Sequence, residues 1–433
     1  MTTLAWVAVA VFVVAYALIA TERVHMVAAA LGGAAIMLVI GATDADAAFF
    51  SEESGIDWNV LFLLLGMMLV VAVLRRTGVF EYVAIWAAKR ARGKPYRMMV
   101  ILVLFTASAS ALLDNVTTVL LVAPVTLLVC ERLAVPVVPY LIAEVMASNI
   151  GGTATLIGDP PNIIVASRAG FSFNDFLIHL TPIVVVLLAV FVALCRVLFR
   201  SAFRYDAERA AEVMSLRERD AIRDGRLLVV SLAVLVVILA AFVLHTVLDL
   251  EPAVVAIVGG LLLLAASRLD AAEVAKDVEW ETLAFFAGLF VMVGALVHTG
   301  VMQELSTRAG DVVEGRLFGA SMLLLWASGA LSAFVNNIPY VASMSPIVDG
   351  LVARAGGGAT DPSVLWWSML LGGDLGGNAT AVGASANVVV LGIAARNGHP
   401  ISFWQFTRYG VVVTAITLAL CAVYVWLRYF AFA

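Results

Sequence analysis

The sequence predicts an all-α polytopic membrane protein made of two inverted repeats, each with five transmembrane helices, one re-entrant hairpin and broken helices. Three observations predict this fold class. First, 63% of the 433 residues are hydrophobic and only 13% are charged, whereas soluble domains carry about 25% charged residues. Second, two apolar spans are too long for one membrane crossing and contain polar residues at their middle. Third, a polar, glycine-rich segment at 149–162 lies between apolar stretches, and a second copy follows near 372–387.

Composition also excludes several classes of function. The net charge is only −5 and no basic block is present, so we expect no nucleic-acid partner. Cys130, Cys195 and Cys421 lie far apart within apolar spans, which predicts neither a disulfide framework nor a zinc site. No nucleophile–base pair or metal-ligand set is visible. We therefore expect a protein that is not an enzyme and that uses no cofactor beyond a possible Na⁺ or H⁺.

The apolar spans define the elements in chain order. The run at 4–20 has no basic residue before it and is long enough to cross a bilayer, so we expect it to persist as the first transmembrane helix. The spans lie at 3–20, 26–42, 58–74, 98–131, 138–167, 176–199, 227–248, 252–268, 280–298, 318–352, 363–395 and 403–431.

Two spans, 98–131 and 318–352, exceed the roughly 20 residues that one crossing needs. Polar pairs interrupt them near the middle: Asp114-Asn115 in the first and Asn336-Asn337 in the second. We interpret each span as a re-entrant helical hairpin. The alternative is a pair of short crossings joined by a loop of about two residues, each too short for a typical bilayer.

The chain repeats itself at a nearly constant offset, as a tandem duplication would. At an offset of 222 residues the matches are Gly66 with Gly288, Asn115 with Asn337, and Pro124 with Pro346. Further along, the offset becomes 225, and the matches are Gly151-Gly152 with Gly376-Gly377, Thr155 with Thr380, Gly158 with Gly383, and Asn162 with Asn387.

Lys and Arg residues collect in short cytoplasmic loops and so predict the orientation. With both termini outside, the cytoplasmic loops, including the hydrophilic linker 200–226, hold 21 of the 26 Lys and Arg residues. Each half then crosses five times, an odd number, so the halves are inverted. The hairpin in 98–131 would enter from the cytoplasm and that in 318–352 from outside. We expect a multi-pass protein of the inner cell membrane.

Four interrupted elements should meet in the middle of this bundle: the two hairpin tips and the two broken helices. Half-helix N-termini suit anions, whereas half-helix C-termini and unwound carbonyls suit Na⁺ or a proton carrier, as in transporter binding sites. The candidate ion-binding residues are Asp114, Asn115, Thr117, Thr118, Asn149, Gly151, Gly152, Thr153, Thr155, Asp159, Asn162, Asn336, Asn337, Asp374, Gly376, Gly377, Asn378, Thr380, Ser385 and Asn387.

Carboxylates inside the hydrocarbon region are costly and are functional by default. Asp114 and Asp374 are the first candidates for cation or proton coupling, because their repeat equivalents are neutral asparagines, and Glu144 is a further candidate. Each has a structural alternative. Glu144 could be an internal hydrogen-bond partner, Asp159 could cap the helix that follows it, and the asparagines could serve turn geometry.

These residues resemble a known family. Residues 113–131, 141–167, 335–348 and 372–390 closely resemble the P protein branch of the ArsB/NhaD permeases within the ion transporter superfamily. The resemblance implies a fold like that of the divalent-anion/sodium symporters, with a scaffold domain, a transport domain, a homodimer and an elevator-type motion. The implied division is scaffold at 1–96 and 227–316, transport part at 97–199 and 317–433, and linker at 200–226.

The hairpin tips depart from the symporter pattern. By position, the Ser-Asn-Thr tips of the symporters fall at Asp114-Asn115-Val116-Thr117 and Asn336-Asn337-Ile338. An acid at Asp114 would repel a dicarboxylate. The Asp-Asn tip is similar to NhaD sodium/proton antiporters, while Asn336-Asn337 and the segment 373–376 are similar to arsenite permeases. The Gly-Asp-Pro-Pro-Asn run at 158–162 is not a feature of those permeases.

The combined expectation is a secondary active ion transporter that is coupled to Na⁺ or H⁺ and works by elevator-like alternating access. An efflux permease for arsenite or another small oxyanion is the first alternative. An anion channel, for chloride, is the alternative from another class. A coupled transporter would saturate and respond to ion gradients, which separates it from a channel.

Overall fold

Within a computed structural model, residues 2–20, 24–51, 54–203, 206, 208, 209, 211, 214, 217–313, 316–355 and 360–431 are described. All regular structure in these residues is helical, which confirms the all-α prediction for this part of the chain. Arg23, Glu52, Glu53 and eight residues of the predicted linker (204, 205, 207, 210, 212, 213, 215 and 216) lie outside the described residues.

The first half contains eleven α-helices in its described residues. They are α1 (Thr3–Ala20), α2 (Met26–Val39), α3 (Ala45–Phe50), α4 (Trp58–Arg76), α5 (Val79–Arg90), α6 (Pro95–Leu112), α7 (Asn115–Arg132), α8 (Val137–Gly152), α9 (Pro160–Ala169), α10 (Phe173–His179) and α11 (Thr181–Leu198). Short 3₁₀ helices at Arg200–Ala202 and Glu218–Ala221 follow within the linker.

The second half repeats this order. Its described helices are α12 (Gly225–Leu248), α13 (Pro252–Ser267), α14 (Ala271–Ala275), α15 (Trp280–His298), α16 (Val301–Val313), α17 (Leu317–Ser332), α18 (Asn337–Arg354), α19 (Val364–Gly376), α20 (Ser385–Arg396) and α21 (Phe403–Trp426), with a π-helical turn at Leu427–Ala431. Seven of the described helices are long and apolar enough to cross a membrane, and six more are apolar but shorter. The chain is a multi-pass membrane protein.

The helical path stops at the four places where polar residues interrupt the apolar spans. The first break separates α6 from α7 at residues 113–114, and its equivalent separates α17 from α18 at 333–336. The other two breaks, at 153–159 and 377–384, follow the Gly-Gly pairs that end α8 and α19. Glycine is about 1 kcal/mol and proline about 3 kcal/mol less favourable in a helix than alanine, so these compositions end the helices where the sequence predicted.

Two helix crossings are close enough to require glycine, and they are equivalent in the two halves. A Cβ on Gly151 of α8 would lie 2.2 Å from the Ala107 carbonyl oxygen on α6. A Cβ on Gly376 of α19 would lie 2.5 Å from the Gly329 carbonyl oxygen on α17. The backbones of α8 and α19 therefore pack directly on the first helix of their own hairpin.

A second pair of close crossings links one half to the other. A Cβ on Gly66 of α4 would lie 2.3 Å from the Ala256 carbonyl carbon on α13. Its equivalent, Gly288 of α15, approaches Ala30 of α2, where a Cβ would lie 2.8 Å from the carbonyl carbon. Each half thus inserts a helix against the other.

Polar contacts identify which helix ends lie together. At one end of the bundle, Arg76 at the end of α4 pairs with Asp277, just before α15, at 2.8 Å. At the opposite end of α4, the Ser167 hydroxyl donates a hydrogen bond to Asp57, which directly precedes the helix. The C-terminal end of α4 therefore lies beside the N-terminal end of α15.

The ends of α7, α10 and α20 give a second set of such contacts. Glu131 on α7 pairs with His399, which follows α20, at 3.8 Å. His179 at the end of α10 contacts the Tyr429 hydroxyl at 2.5 Å and stacks on Trp367 near the start of α19, with ring centroids 4.8 Å apart.

Candidate functional site

The four helix breaks meet in the interior and bring six side chains into one hydrogen-bonded group, which we call the central polar network. None of its members exposes more than 2% of its surface. Its members are Asn115, Asn149, Asp159, Asn337, Asn378 and Asn387.

Asp159 joins the two hairpin tips. Its carboxylate accepts a hydrogen bond from Asn115 Nδ2 at 2.8 Å and from Asn337 Nδ2 at 3.2 Å. Asn115 opens α7 in the first half, and Asn337 opens α18 in the second. Asp159 occupies the cap position of α9, but its side chain makes no capping hydrogen bond. The capping alternative is therefore wrong for the Asp159 side chain.

Asn149 joins the first broken helix to the second. Its Nδ2 donates to Asn378 Oδ1 at 2.9 Å and to Asn387 Oδ1 at 3.1 Å. Its Oδ1 accepts from Asn115 Nδ2 at 3.3 Å. Every hydrogen-bonding group of this buried amide is used, as expected for polar side chains removed from water.

The breaks that follow α8 and α19 are stabilised by the same interaction in both halves. Asn162 Nδ2 donates to the Gly152 and Thr155 carbonyl oxygens at 3.1 and 2.8 Å. At the offset of 225 residues, Asn387 Nδ2 donates to the Gly377 and Thr380 carbonyl oxygens at 2.7 and 2.8 Å. In each half the amide thus binds a carbonyl at the helix end, Gly152 or Gly377, that has lost its helical partner. It also adds a second donor to the Thr155 or Thr380 carbonyl, which accepts from the backbone N–H three residues later.

Threonine hydroxyls attach the breaks to neighbouring backbone in the same duplicated way. Thr155 donates to the Ala111 carbonyl oxygen at 2.5 Å, and Thr380 donates to that of Ala333. Thr153 donates to the Asn149 carbonyl oxygen at 2.9 Å. These threonines position the backbone of the site.

Asp374 differs from the other carboxylates of the site. It is fully buried, and neither of its carboxylate oxygens has a hydrogen-bond partner within the described residues. Thr153 lies beside it, but the Thr153 hydroxyl hydrogen is directed to the Asn149 carbonyl oxygen. The charges of Asp374 and Asp159 are close enough to interact.

Asp114 faces a cavity of about 510 Å³ at the edge of the site. Its carboxylate caps α7 by accepting from the Thr117 backbone N–H at 2.8 Å. The Thr117 hydroxyl also donates to Glu279 Oε1 at 3.4 Å. Glu279 lines the same cavity. Asp114 therefore combines the structural role of a helix cap with a position on the route into the site.

The second hairpin tip reaches the same cavity. Asn336 Nδ2 donates to Ser385 Oγ at 2.8 Å, and both residues line the cavity wall. Thr118 is buried, and its hydroxyl has no hydrogen-bond partner in the described part of the chain.

Glu144 lies apart from the central polar network. It is buried on α8, and its Oε1 accepts from the Thr126 hydroxyl at 2.6 Å. No hydrogen bond connects this pair to the network among the described residues. This geometry fits the alternative that Glu144 is an internal hydrogen-bond partner.

Three residues at the site were missed by the sequence interpretation. Ser110 Oγ donates to the Ser148 carbonyl oxygen at 2.8 Å, and Ser332 Oγ donates to the Gly373 carbonyl oxygen at 2.5 Å. Ser110 and Ser332 are 222 residues apart, so the repeat offset could have found them. Glu279 gave only a weak signal as an acid directly before a transmembrane span.

Comparison with known proteins relates this chain to transporters. The family model for the CitMHS citrate transporters matches residues 16–372. An uncharacterized transporter of Mycobacterium tuberculosis is 57% identical over 98% of each chain. An uncharacterized transporter of Synechocystis is 33% identical over 97% of this chain and 96% of its own length. The P protein of Homo sapiens is 32% identical, and the match covers 96% of this chain but 59% of that protein.

Two solved structures share the fold at low sequence identity. The YdaH transporter of Alcanivorax borkumensis superposes with a TM-score of 0.60 at 14% identity, over 94% of this chain and 98% of that one. MtrF of Neisseria gonorrhoeae, which belongs to a class of antimetabolite efflux pumps, superposes with a TM-score of 0.53 at 12% identity, over 86% of this chain and 83% of its own.

Proposed function

Because the chain belongs to the CitMHS citrate transporter family, we propose that this transporter is a secondary active ion transporter driven by Na⁺ or H⁺. The family and the relatives' names indicate transport and no enzymatic activity. Within the ion transporter superfamily, the kinship with the P protein supports placement in the P protein-like branch of the ArsB/NhaD permeases.

The observation that carries the proposal is the double attachment of Asp159. One buried carboxylate accepts hydrogen bonds from the tips of both hairpins, and Asn149 ties it to the second broken helix. Ion sites of secondary transporters form where discontinuous helices meet in this way. A cation that binds at Asp159 would compete with the two amide donors and so alter how the two hairpins are held.

The charge of the site favours a cation over an anion. Asp114 and Asp374 each lie close enough to Asp159 for their charges to interact with it. The residues that line the cavity include acids and no lysine, arginine or histidine; His25 contacts only the rim acid Glu281, at 3.4 Å. A polyvalent carboxylate or an oxyanion would meet net negative charge there. The cavity therefore gives no support to chloride or another anion as the bound species.

The helix ends support alternating access by inverted halves. α4 and α15 are equivalent by the repeat, yet the end of α4 lies beside the start of α15 through Arg76 and Asp277. In inverted repeats, equivalent helices run in opposite directions. Each half can therefore adopt the conformation of the other, which gives the inward-open and outward-open states of alternating access. We propose that the transport part, α6–α11 and α17–α21, moves against a scaffold that contains α4 and α15, in a homodimer of the inner membrane.

The test is flux in proteoliposomes that contain the purified protein. A pH-sensitive dye inside the vesicles should report saturable proton movement when a Na⁺ gradient is applied. A sodium-sensitive dye should report Na⁺ uptake when a pH gradient is applied. The Asp159→Asn variant should abolish both. Currents that reverse at the equilibrium potential of chloride, with no response to Na⁺ or pH gradients, would replace this proposal with a channel.

A further inference from the structure

We propose that the coupling ion is a proton that is held between the Asp374 carboxylate and the amide oxygen of Asn162. This inference rests on the proposed function and assigns to one pair of residues the role of the coupling site. The inference is based on one position at which the two repeats differ: the first half has Asn149 where the second half has Asp374.

The repeat relates an observed contact between the broken helices to an equivalent pair of residues in the exchanged halves. In the observed contact, Asn149 on α8 donates to Asn387 Oδ1 on α20 and to Asn378 Oδ1. Exchanging the halves turns Asn149 into Asp374, Asn387 into Asn162 and Asn378 into Thr153. The helices that carry the exchanged pair, α19 and α9, pack against each other as α8 and α20 do, and Thr153 lies beside Asp374.

The exchanged pair, Asp374 and Asn162, lacks a hydrogen-bond donor when Asp374 is deprotonated. Asn149 supplies two N–H groups, whereas a deprotonated Asp374 supplies none. Asn162 uses both of its N–H groups on the Gly152 and Thr155 carbonyls, so only its acceptor oxygen remains. Asp374 Oδ1, Asp374 Oδ2 and Asn162 Oδ1 are all buried without a hydrogen-bond partner among the described residues.

One proton supplies the missing donor and gives two of these three oxygens a partner. A protonated Asp374 would donate its O–H to Asn162 Oδ1, which reproduces the Asn149–Asn387 bond of the other half. Buried polar groups without partners are uncommon in native structures, and an isolated buried carboxylate is far more costly than a neutral acid. Uptake converts the carboxylate and H⁺ to the acid, and release returns the proton to water on the side to which the site then opens.

The repeat favours a proton over Na⁺, because a protonated carboxyl group supplies the same kind of hydrogen-bond donor that Asn149 supplies in the other half. No basic side chain in the described part of the chain hydrogen-bonds to the Asp374 carboxylate. Among the elements packed against α19, helix α17 carries no ionisable group. The ionisable groups on the other elements are Tyr140, Glu144, Asp159, Arg168, Tyr340, Asp349, Arg354, Arg408, Tyr409, Cys421 and Tyr424.

The experiment is infrared difference spectroscopy of the purified protein during a pH titration. The wild type should show the carbonyl stretch of a protonated carboxylic acid that disappears at high pH, and the Asp374→Asn variant should lack that band. The variant is isosteric and supplies the N–H that Asn149 supplies in the other half, so it should fold. The double variant Asn149→Asp with Asp374→Asn moves the acid to the equivalent position, and the band should return there.

The outcome separates this inference from the proposed function. An identical titrating band in the wild type and in Asp374→Asn would overturn the proton assignment. A second result would also overturn the assignment: a higher melting temperature in NaCl than in choline chloride for the wild type but not for Asp374→Asn. Such a difference would show that the site binds sodium. In either case, coupled flux measured for the wild type would still support the proposed function. Absence of coupled flux would refute the proposed function but leave the protonation of Asp374 measurable.

Discussion

A single carboxylate, that of Asp159, receives hydrogen bonds from two amides that are 222 residues apart in the chain. The bonds are made by Asn115 and Asn337, the first residues of the second helix in each hairpin. Hydrogen bonds to a charged acceptor contribute about 1.5–3 kcal/mol each. At the scale of residues, this carboxylate is the point where the two halves of the site depend on each other.

Replacing Asp159 with asparagine should therefore do two things. One acceptor oxygen becomes an N–H₂ group that faces another donor, which should destabilise the protein by about 1–3 kcal/mol. Coupled flux in proteoliposomes should fall more than tenfold. Asp270→Asn is the matched control, because Asp270 caps the exposed start of α14 and asparagine caps equally well. Unchanged flux in Asp159→Asn would remove Asp159 from the transport site.

The paired amides allow a prediction that tests the repeat itself. Asn162→Ala and Asn387→Ala each leave one buried carbonyl, that of Gly152 or Gly377, without a partner, at about 1–3 kcal/mol per unsatisfied group. Each also removes one of the two donors to the Thr155 or Thr380 carbonyl. The two variants should lose similar amounts of unfolding free energy in detergent. Asn397→Ala, at the exposed end of α20, should lose clearly less. A large loss in only one of the two would show that the halves are not energetically equivalent.

At the scale of elements, the close crossings of α8 on α6 and of α19 on α17 have no space for a side chain. Gly151→Ala and Gly376→Ala should each lower the melting temperature, since overpacking typically costs about 1–3 kcal/mol. Gly392→Ala is the control within the helical region, because a Cβ there meets nothing within 4 Å. That variant should be neutral or gain up to about 1 kcal/mol from helix propensity.

The linker end docks on α5 through charges, which gives it a pH dependence. The Lys89 ammonium, 2.5 Å from Glu218, donates a hydrogen bond that lowers the pKa of that carboxyl. The ion pair should therefore be intact at neutral pH and be lost as the pH falls through this lowered value, because protonation removes the charge. A spin label at residue 220 should become more mobile upon acidification in the wild type. In Glu218→Gln it should be mobile at every pH.

The sequence predicted the breaks better than it predicted their connections. Gly151-Gly152 and their counterparts Gly376-Gly377 are poor helix formers, so the ends of α8 and α19 could be located from local composition. The pairing of Asp159 with Asn337 spans 178 residues, and no local pattern encodes which of several buried asparagines an acid will meet. The same limit hid Glu279, whose significance comes only from its contact with Thr117.

At the scale of the whole molecule, the predicted orientation can be tested with single cysteines. The native cysteines are buried and should not react with a membrane-impermeant maleimide. In intact cells, Glu251→Cys and Asp361→Cys should be labelled, because these exposed positions are predicted to lie outside. Asp220→Cys and Lys276→Cys should be labelled only after the membrane is permeabilised. Labelling of Asp220→Cys in intact cells would invert the predicted orientation.

The contacts of Gly66 with Ala256 and of Gly288 with Ala30 have a consequence for how the protein is made. During synthesis, α4 enters the bilayer long before the ribosome has produced the helix that covers its glycine surface. Until then, the glycine surface of α4 is exposed to lipid. In a prematurely terminated chain that lacks α13, this surface would remain exposed. Expressing the two halves as separate polypeptides should therefore yield stable protein only when both are present together.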